Sequence, residues 1–207
     1  MRYLPPVEFH LSSPDWTGCP SASLQTDICF TGRSNSGKSS LISAISNQHN
    51  LARVSGTPGK TRLINYFKIR PVGQNRNAGA DWYLVDLPGF GYAKMPALEQ
   101  KKLRLMVDQF LANNQRLALI VLVLDCRRDT GLEEQGILDW ARHSGKEVLF
   151  ARSKWDKLNQ KEKSQRRKHW QAQGLADISV PYSSLRPDQG LQSIVDKVLA
   201  SCPGLDL

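Results

Sequence analysis

Eight residues constrain this chain more than any other stretch: Gly32-Arg33-Ser34-Asn35-Ser36-Gly37-Lys38-Ser39 reads G-x-x-x-x-G-K-S. An apolar run (Ile28, Cys29, Phe30) precedes it, and Leu41, Ile42, Ala44 and Ile45 follow in a helix-like pattern. A strand entering a glycine loop that opens a helix is the setting of a phosphate-binding loop. Glycines let successive backbone N–H groups face one anion, and the helix adds the positive end of its dipole. Lys38 is then placed to reach β- and γ-phosphates, and the Ser39 hydroxyl to hold Mg²⁺. The plainer alternative is a Gly/Ser-rich turn in which Ser34 or Asn35 caps an ordinary helix.

The 207 residues suffice for one well-buried core, so a single domain is expected. Lys and Arg number 28 against 19 Asp and Glu, a formal charge of +9. That excess points to a polyanionic partner, nucleic acid ahead of an anionic membrane surface, with a merely basic, soluble surface as the alternative. Cys19, Cys29, Cys126 and Cys202 form no C-x-x-C pair or Cys/His cluster and read as reduced thiols. With no signal-like N-terminus and no apolar run of membrane-spanning length, the protein is expected in the cytoplasm, away from membranes.

Residues 1–26 carry Pro5-Pro6, Pro14 and Pro20 and are expected to form an irregular arm, with a short strand turn open at Phe9-His10-Leu11. Strands are expected at 27–31, 63–70, 82–85, 117–125, 147–151 and 178–182, the second and third as an antiparallel hairpin. The unbroken apolar run at 117–124 marks a central parallel strand covered on both faces. Helices are expected at 38–46, 97–113, 132–143, within 159–173 and at 187–201. A polar stretch, 47–62, contains Thr57-Pro58-Gly59-Lys60-Thr61, and a loop of that length is usually functional or mobile. Thr61 and Thr57 are its candidates for a second Mg²⁺ ligand and a sensor of the terminal phosphate.

Asp86-Leu87-Pro88-Gly89 is a D-x-x-G at the carboxyl end of a strand, where open α/β sheets bind ligands. Asp86 is expected to hold Mg²⁺ through a water, and the Gly89 N–H to touch the γ-phosphate. Strand 147–151 runs into Ser153-Lys154-Trp155-Asp156, which resembles the N/T-K-x-D that reads guanine, with Ser in first place. The Asp accepts from guanine N1–H and the N2 amine while the Lys stem lies over the ring. Adenine lacks both donors, so its rejection is built in; the other reading is an Asp that caps the next helix. Ser183-Ser184-Leu185 is expected to bring backbone N–H groups to the guanine O6. Lys161, Lys163, Arg166, Arg167 and Lys168, with Trp170 beside them, suit RNA phosphates, and a solvated helix face fits equally.

Phosphate loop, threonine loop, D-x-x-G, x-K-x-D and S-S-x, each after its own strand, resemble the Ras-like GTPases over about residues 24–201. Narrower stretches resemble the EngB (YihA/YsxC) family of bacterial large-subunit assembly GTPases, first described through septation defects. They are Gly32 through Lys38-Ser39-Ser40-Leu41, Thr57-Pro58-Gly59-Lys60-Thr61, Asp86-Leu87-Pro88-Gly89-Phe90-Gly91-Tyr92-Ala93 and Ser183-Ser184. The resemblance implies an α/β, three-layer P-loop GTPase fold with a six-stranded, mostly parallel sheet and one antiparallel edge strand. The chain is expected to divide into an irregular arm, 1–23, and one GTP-binding domain, 24–207. The resemblance also implies Mg²⁺ on Ser39 and Thr61, GTP gripped by all five segments, and a pre-50S particle or its rRNA as partner; a monomer is expected.

Position 90 bears on rate. Many GTPases place there a Gln that orients the attacking water, and Phe90 cannot, so slow turnover stimulated by a partner is expected. Asn35, where related assembly GTPases coordinate K⁺, is a candidate for supplying charge through a monovalent ion. A GTP-driven switch therefore competes with a module that acts by GTP occupancy alone and with a P-loop phosphotransferase.

Overall fold

The computed structural model describes residues 2–20, 24–48, 51, 63–71, 80–91 and 95–205. Its elements follow the chain as β1 (Val7–Ser13), β2 (Leu24–Gly32), α1 (Lys38–Ile45), β3 (Ile64–Ile69), β4 (Ala80–Asp86), α2 (Ala97–Asn113), β5 (Leu117–Asp125), α3 (Leu132–His143), β6 (Glu147–Ser153), α4 (Gln160–Ala172), β7 (Ser179–Pro181) and α5 (Leu191–Ala200). One turn of 3-10 helix, Trp155–Lys157, joins β6 to α4. The strands form one sheet in the order β1-β3-β4-β2-β5-β6-β7.

The alternation of β5 explains its unbroken apolar run. Leu119, Val121 and Val123 face the layer of α1 and α5, where Leu41, Ile42, Ile194 and Val198 pack. Ile120, Leu122 and Leu124 face the opposite layer, with Val107, Phe110, Leu138 and Trp170. A strand covered on both faces has no polar side, which is the pattern of a parallel sheet sandwiched by helices. Each fully buried Leu, Ile or Val adds about 1.5–3 kcal/mol of burial free energy, so the centre of the sheet is its most strongly held part.

Strands β2, β4, β5, β6 and β7 run parallel. Among the described residues only β3 runs against them, paired antiparallel with β4 on one side and β1 on the other. Among the described residues the sheet therefore has seven strands rather than six, and β1, not β3, forms the edge. The arm expected to be irregular contains this strand because Pro5-Pro6 and Pro14 bracket it instead of interrupting it. Val7 and Ser13 are buried at its ends, and Leu4 joins the core. A register shift between Phe9 and Leu11 bends the outer edge, a feature that discourages further strand addition.

Candidate functional site

The parallel strands carry their carboxyl ends to one edge of the sheet, and the loops leaving that edge build the site. After β2 the chain enters the phosphate-loop motif, where two glycines are demanded by geometry. A Cβ on Gly32 would stand 2.2 Å from the Val123 carbonyl oxygen. Gly37 has φ 97°, a left-handed conformation that strains other residues, and it forms the N-cap of α1 without any side-chain cap. No acidic residue occupies the first turn of α1, so its initial N–H groups and dipole are left for an anion.

Lys38 is buried and its Nζ pairs with Asp86 Oδ1, joining the phosphate loop to the D-x-x-G segment. The two loops are also stitched along the backbone: Ser34 N–H donates to the Phe90 carbonyl (2.8 Å), and Phe90 N–H donates to that of Gly32 (3.1 Å). Leu87, Pro88 and Gly89 are buried beneath this contact. A cavity of about 640 Å³ opens beside Gly89, Phe90 and Gly91, between α2 and α3, lined by Leu103, Val107, Ile137 and Trp140.

The segment after β6 is locked to the phosphate loop. Ser153 Oγ donates to the Ser36 carbonyl at 2.5 Å, so a serine in the first position makes this tie through its hydroxyl. Lys154 adopts φ 61° and donates to the Asn35 carbonyl (3.0 Å) while pairing with Asp125 (3.0 Å). Asp156 accepts from Ser183 Oγ at 2.6 Å. That hydroxyl holds the Asp156 carboxyl below its ordinary range, against the opposing effect of burial.

Some side chains stand where the linear motif does not place them. The Arg33 guanidinium is held on α3, 2.7 Å from Glu134 and 3.4 Å from Glu133, so this residue offers the phosphate loop its backbone only. Trp155 is buried against Trp170, ring centroids 5.7 Å apart, and likewise contributes backbone. Leu185 is exposed, and its N–H donates to Ser183 Oγ at 3.2 Å rather than opening onto the site. Ser39 is half-buried at the start of α1, and Ser40 and Asn35 are exposed. Thr57, Gly59, Lys60 and Thr61 lie outside the described residues, as do Tyr92 and Ala93.

Sequence reading passes over Asp125. Burial pushes its carboxyl up, but hydrogen bonds from Arg127 and Lys154 outweigh this and hold it well below the usual range. The available signal was positional: a lone acid ends the most apolar strand at the same edge as the motifs.

The expected basic face of α4 is divided. Arg166 pairs with Asp129 (2.6 Å), and Lys163 and Arg167 rest over the Trp155 ring, each 5.6 Å from its centroid. Lys161 and Lys168 are exposed.

The site's oxygens suit Mg²⁺. Among the described residues Asp86 Oδ2 is buried without a hydrogen-bond partner, and it and the Ser39 hydroxyl are hard oxygens of the kind Mg²⁺ prefers. Among the described residues no group of three or more His, Cys, Asp or Glu could hold a metal. An ion that retains waters and phosphate oxygens does not require one.

This arrangement of sheet, loop and helices defines an α/β P-loop GTPase fold. Residues 27–154 match the family model described as 50S ribosome-binding GTPase. A probable GTP-binding protein EngB of Syntrophus aciditrophicus is 35% identical over 193 residues, 93% of each chain. One of Clostridium perfringens is 41% identical over 133 residues, a match that spans 64% of this chain and 63% of that protein. The chain belongs to the EngB family. A crystal structure of a probable GTP-binding protein engB superposes with TM-score 0.61 at 20% identity, over 86% of this chain and 98% of that one. Era in complex with MgGDPNP and a 16S ribosomal RNA segment superposes with TM-score 0.60 at 18% identity, over 87% and 57%.

Proposed function

We propose that this chain binds GTP at the carboxyl edge of its sheet and hydrolyses it to GDP and phosphate, as a switch in assembly of the bacterial large ribosomal subunit with a link to cell division and septation. One observation carries the reading: Ser153 and Lys154 fasten the Asp156 segment to the phosphate loop, so a base reader and a phosphate cradle share one rigid frame. The family model's description supports the ribosomal setting, and the RNA held by Era supports an RNA surface.

In this reading the N–H groups at the start of α1 cradle the β-phosphate, and Lys38 exchanges Asp86 for the β/γ-oxygens. Asp156 selects guanine, and Ser183 keeps its carboxylate ionised and oriented. When bound, Mg²⁺ neutralises charge on the β- and γ-phosphates. Ser39, Thr61 and Asp86 would hold it. Gly89 approaches the γ-phosphate by its N–H, and Asn35 would hold K⁺, which would supply positive charge to the phosphates. The partner is a pre-50S particle or its rRNA, met through the cations of α4 by a cytoplasmic monomer. No helix among the described residues is long and apolar enough to cross a membrane.

Titration with fluorescent GTP, GDP and ATP analogues tests this. Both guanine nucleotides are expected to bind, and ATP at least about a thousandfold more weakly, because adenine lacks both of the donors that Asp156 accepts from in guanine. Equal affinity for ATP overturns the reading. The packing of Phe90 against the core favours a second one, in which bound GTP acts by occupancy with negligible hydrolysis.

A further inference from the structure

Asn65 stands in the interior of β3, where an amide is a poor strand former, and it is 1% exposed. Its Cα partner across the β3–β4 ladder is Asp86. Directly opposed residues of an antiparallel pair share a face, with Cβ atoms about 5 Å apart. Here that face is the one shared with Phe67, Leu84 and α1. Among the described residues, each of the two side chains keeps one buried atom without a hydrogen-bond partner: the donor Nδ2 of Asn65 and the acceptor Oδ2 of Asp86. The other oxygen of Asp86 is taken by Lys38. The other end of the Asn65 amide is taken by Ser12 of β1, whose hydroxyl donates to Oδ1 at 2.6 Å. The opposite flip of the amide would turn an oxygen towards a carboxylate, so the Ser12 contact selects the orientation that presents NH₂.

We infer that Asn65 is a positioning residue for Asp86: its amide NH₂, oriented by Ser12, holds Oδ2 of Asp86 through one bridging water, in the orientation that receives a Mg²⁺-bound water. A buried donor and a buried acceptor without partners, paired in register on one face, are costly unless they serve each other. The extra edge strand β1 thereby acquires a role at the metal site that its distance along the chain conceals. The inference rests on the proposed reading of Asp86 as a Mg²⁺ residue.

The test is the affinity for a fluorescent GDP analogue in saturating Mg²⁺ and in EDTA, with thermal midpoints as the check on folding. Asn65→Leu is expected to cut the Mg²⁺-dependent gain in affinity about tenfold, the scale of one hydrogen bond to a charged group, and to leave the EDTA affinity within about twofold. Ser12→Ala, at an exposed side chain, is expected to cut the gain about threefold. It carries the test should Asn65→Leu fail to fold. In an Asp86→Asn background, Asn65→Leu is expected to add nothing. If Asp86→Asn abolishes the Mg²⁺ gain while Asn65→Leu and Ser12→Ala keep it whole, the inference is overturned and the reading of Asp86 stands. If Asp86→Asn itself keeps the gain, the metal role of Asp86 falls, and the inference with it.

Discussion

A single carboxylate separates guanine from adenine in the proposed site, and Ser183 fixes how it does so. Asp156 presents two acceptors to two guanine donors; an amide presents one acceptor and one donor. Asp156→Asn is therefore expected to weaken GDP binding about a hundredfold or more, and to favour xanthosine diphosphate, whose C2 carbonyl accepts from the new NH₂. Competition between the two nucleotides measures this, and unchanged GDP preference removes Asp156 from base reading. The Ser183 hydroxyl lowers the Asp156 carboxyl, with burial opposing it. A lowered carboxyl contributes above its unfolded value and loses that contribution as pH falls through the folded value. Ser183→Ala should therefore move the acid limb of a GDP-affinity profile to higher pH, and superimposable profiles contradict the role. At this scale the motif residues are legible because they are contiguous. Asp125 and Asn65 are not, since each acts on a partner more than 20 residues away, Lys154 and Asp86, that only the fold brings near.

At the scale of elements, strong periodicity made boundaries readable. The helices at Ala97–Asn113 and Leu132–His143 and the strand at Leu117–Asp125 begin and end where the apolar pattern does. Strand β1 was obscured because its burial is confined to its ends and a bulge breaks the alternation. Helix α4 shows the limit of reading charge along a chain. Trp170 packs between Trp155 and the Arg152 guanidinium, 4.9 Å from its ring centroid, and this anchors the helix under the base segment. Arg166 is committed to Asp129, whereas Lys161, Lys163, Arg167 and Lys168 keep at least part of their charge towards solvent. Replacing those four with Glu is expected to weaken binding to large-subunit precursor and to lower the slope of log K against log salt by roughly one for each phosphate no longer neutralised. Arg166→Ala should act mainly on the thermal midpoint. Equal salt slopes for wild type and the fourfold variant place the RNA surface elsewhere.

Across the whole molecule, the phosphate loop and the D-x-x-G segment are joined through backbone groups at Phe90, which also lines the cavity between α2 and α3. Because the Phe90 ring packs with the α2–α3 core layer, its direction of projection is set by packing as well as by its chemistry. Supplying the right functional group at position 90 does not by itself supply the right place: Phe90→Gln is expected to loosen the core and to raise intrinsic GTP turnover by no more than a few-fold. A group delivered from outside escapes that constraint, and such trans-acting groups are worth about 10³–10⁵ in rate where they occur. Added large-subunit precursor is therefore expected to accelerate phosphate release from GTP by at least an order of magnitude, in wild type and in Phe90→Gln alike, with a formal charge of +9 favouring the encounter. Acceleration of Phe90→Gln alone, without particles, shows that the missing catalytic group belongs to this chain. No acceleration of either protein at saturating precursor leaves occupancy, rather than hydrolysis, as the signal the molecule sends.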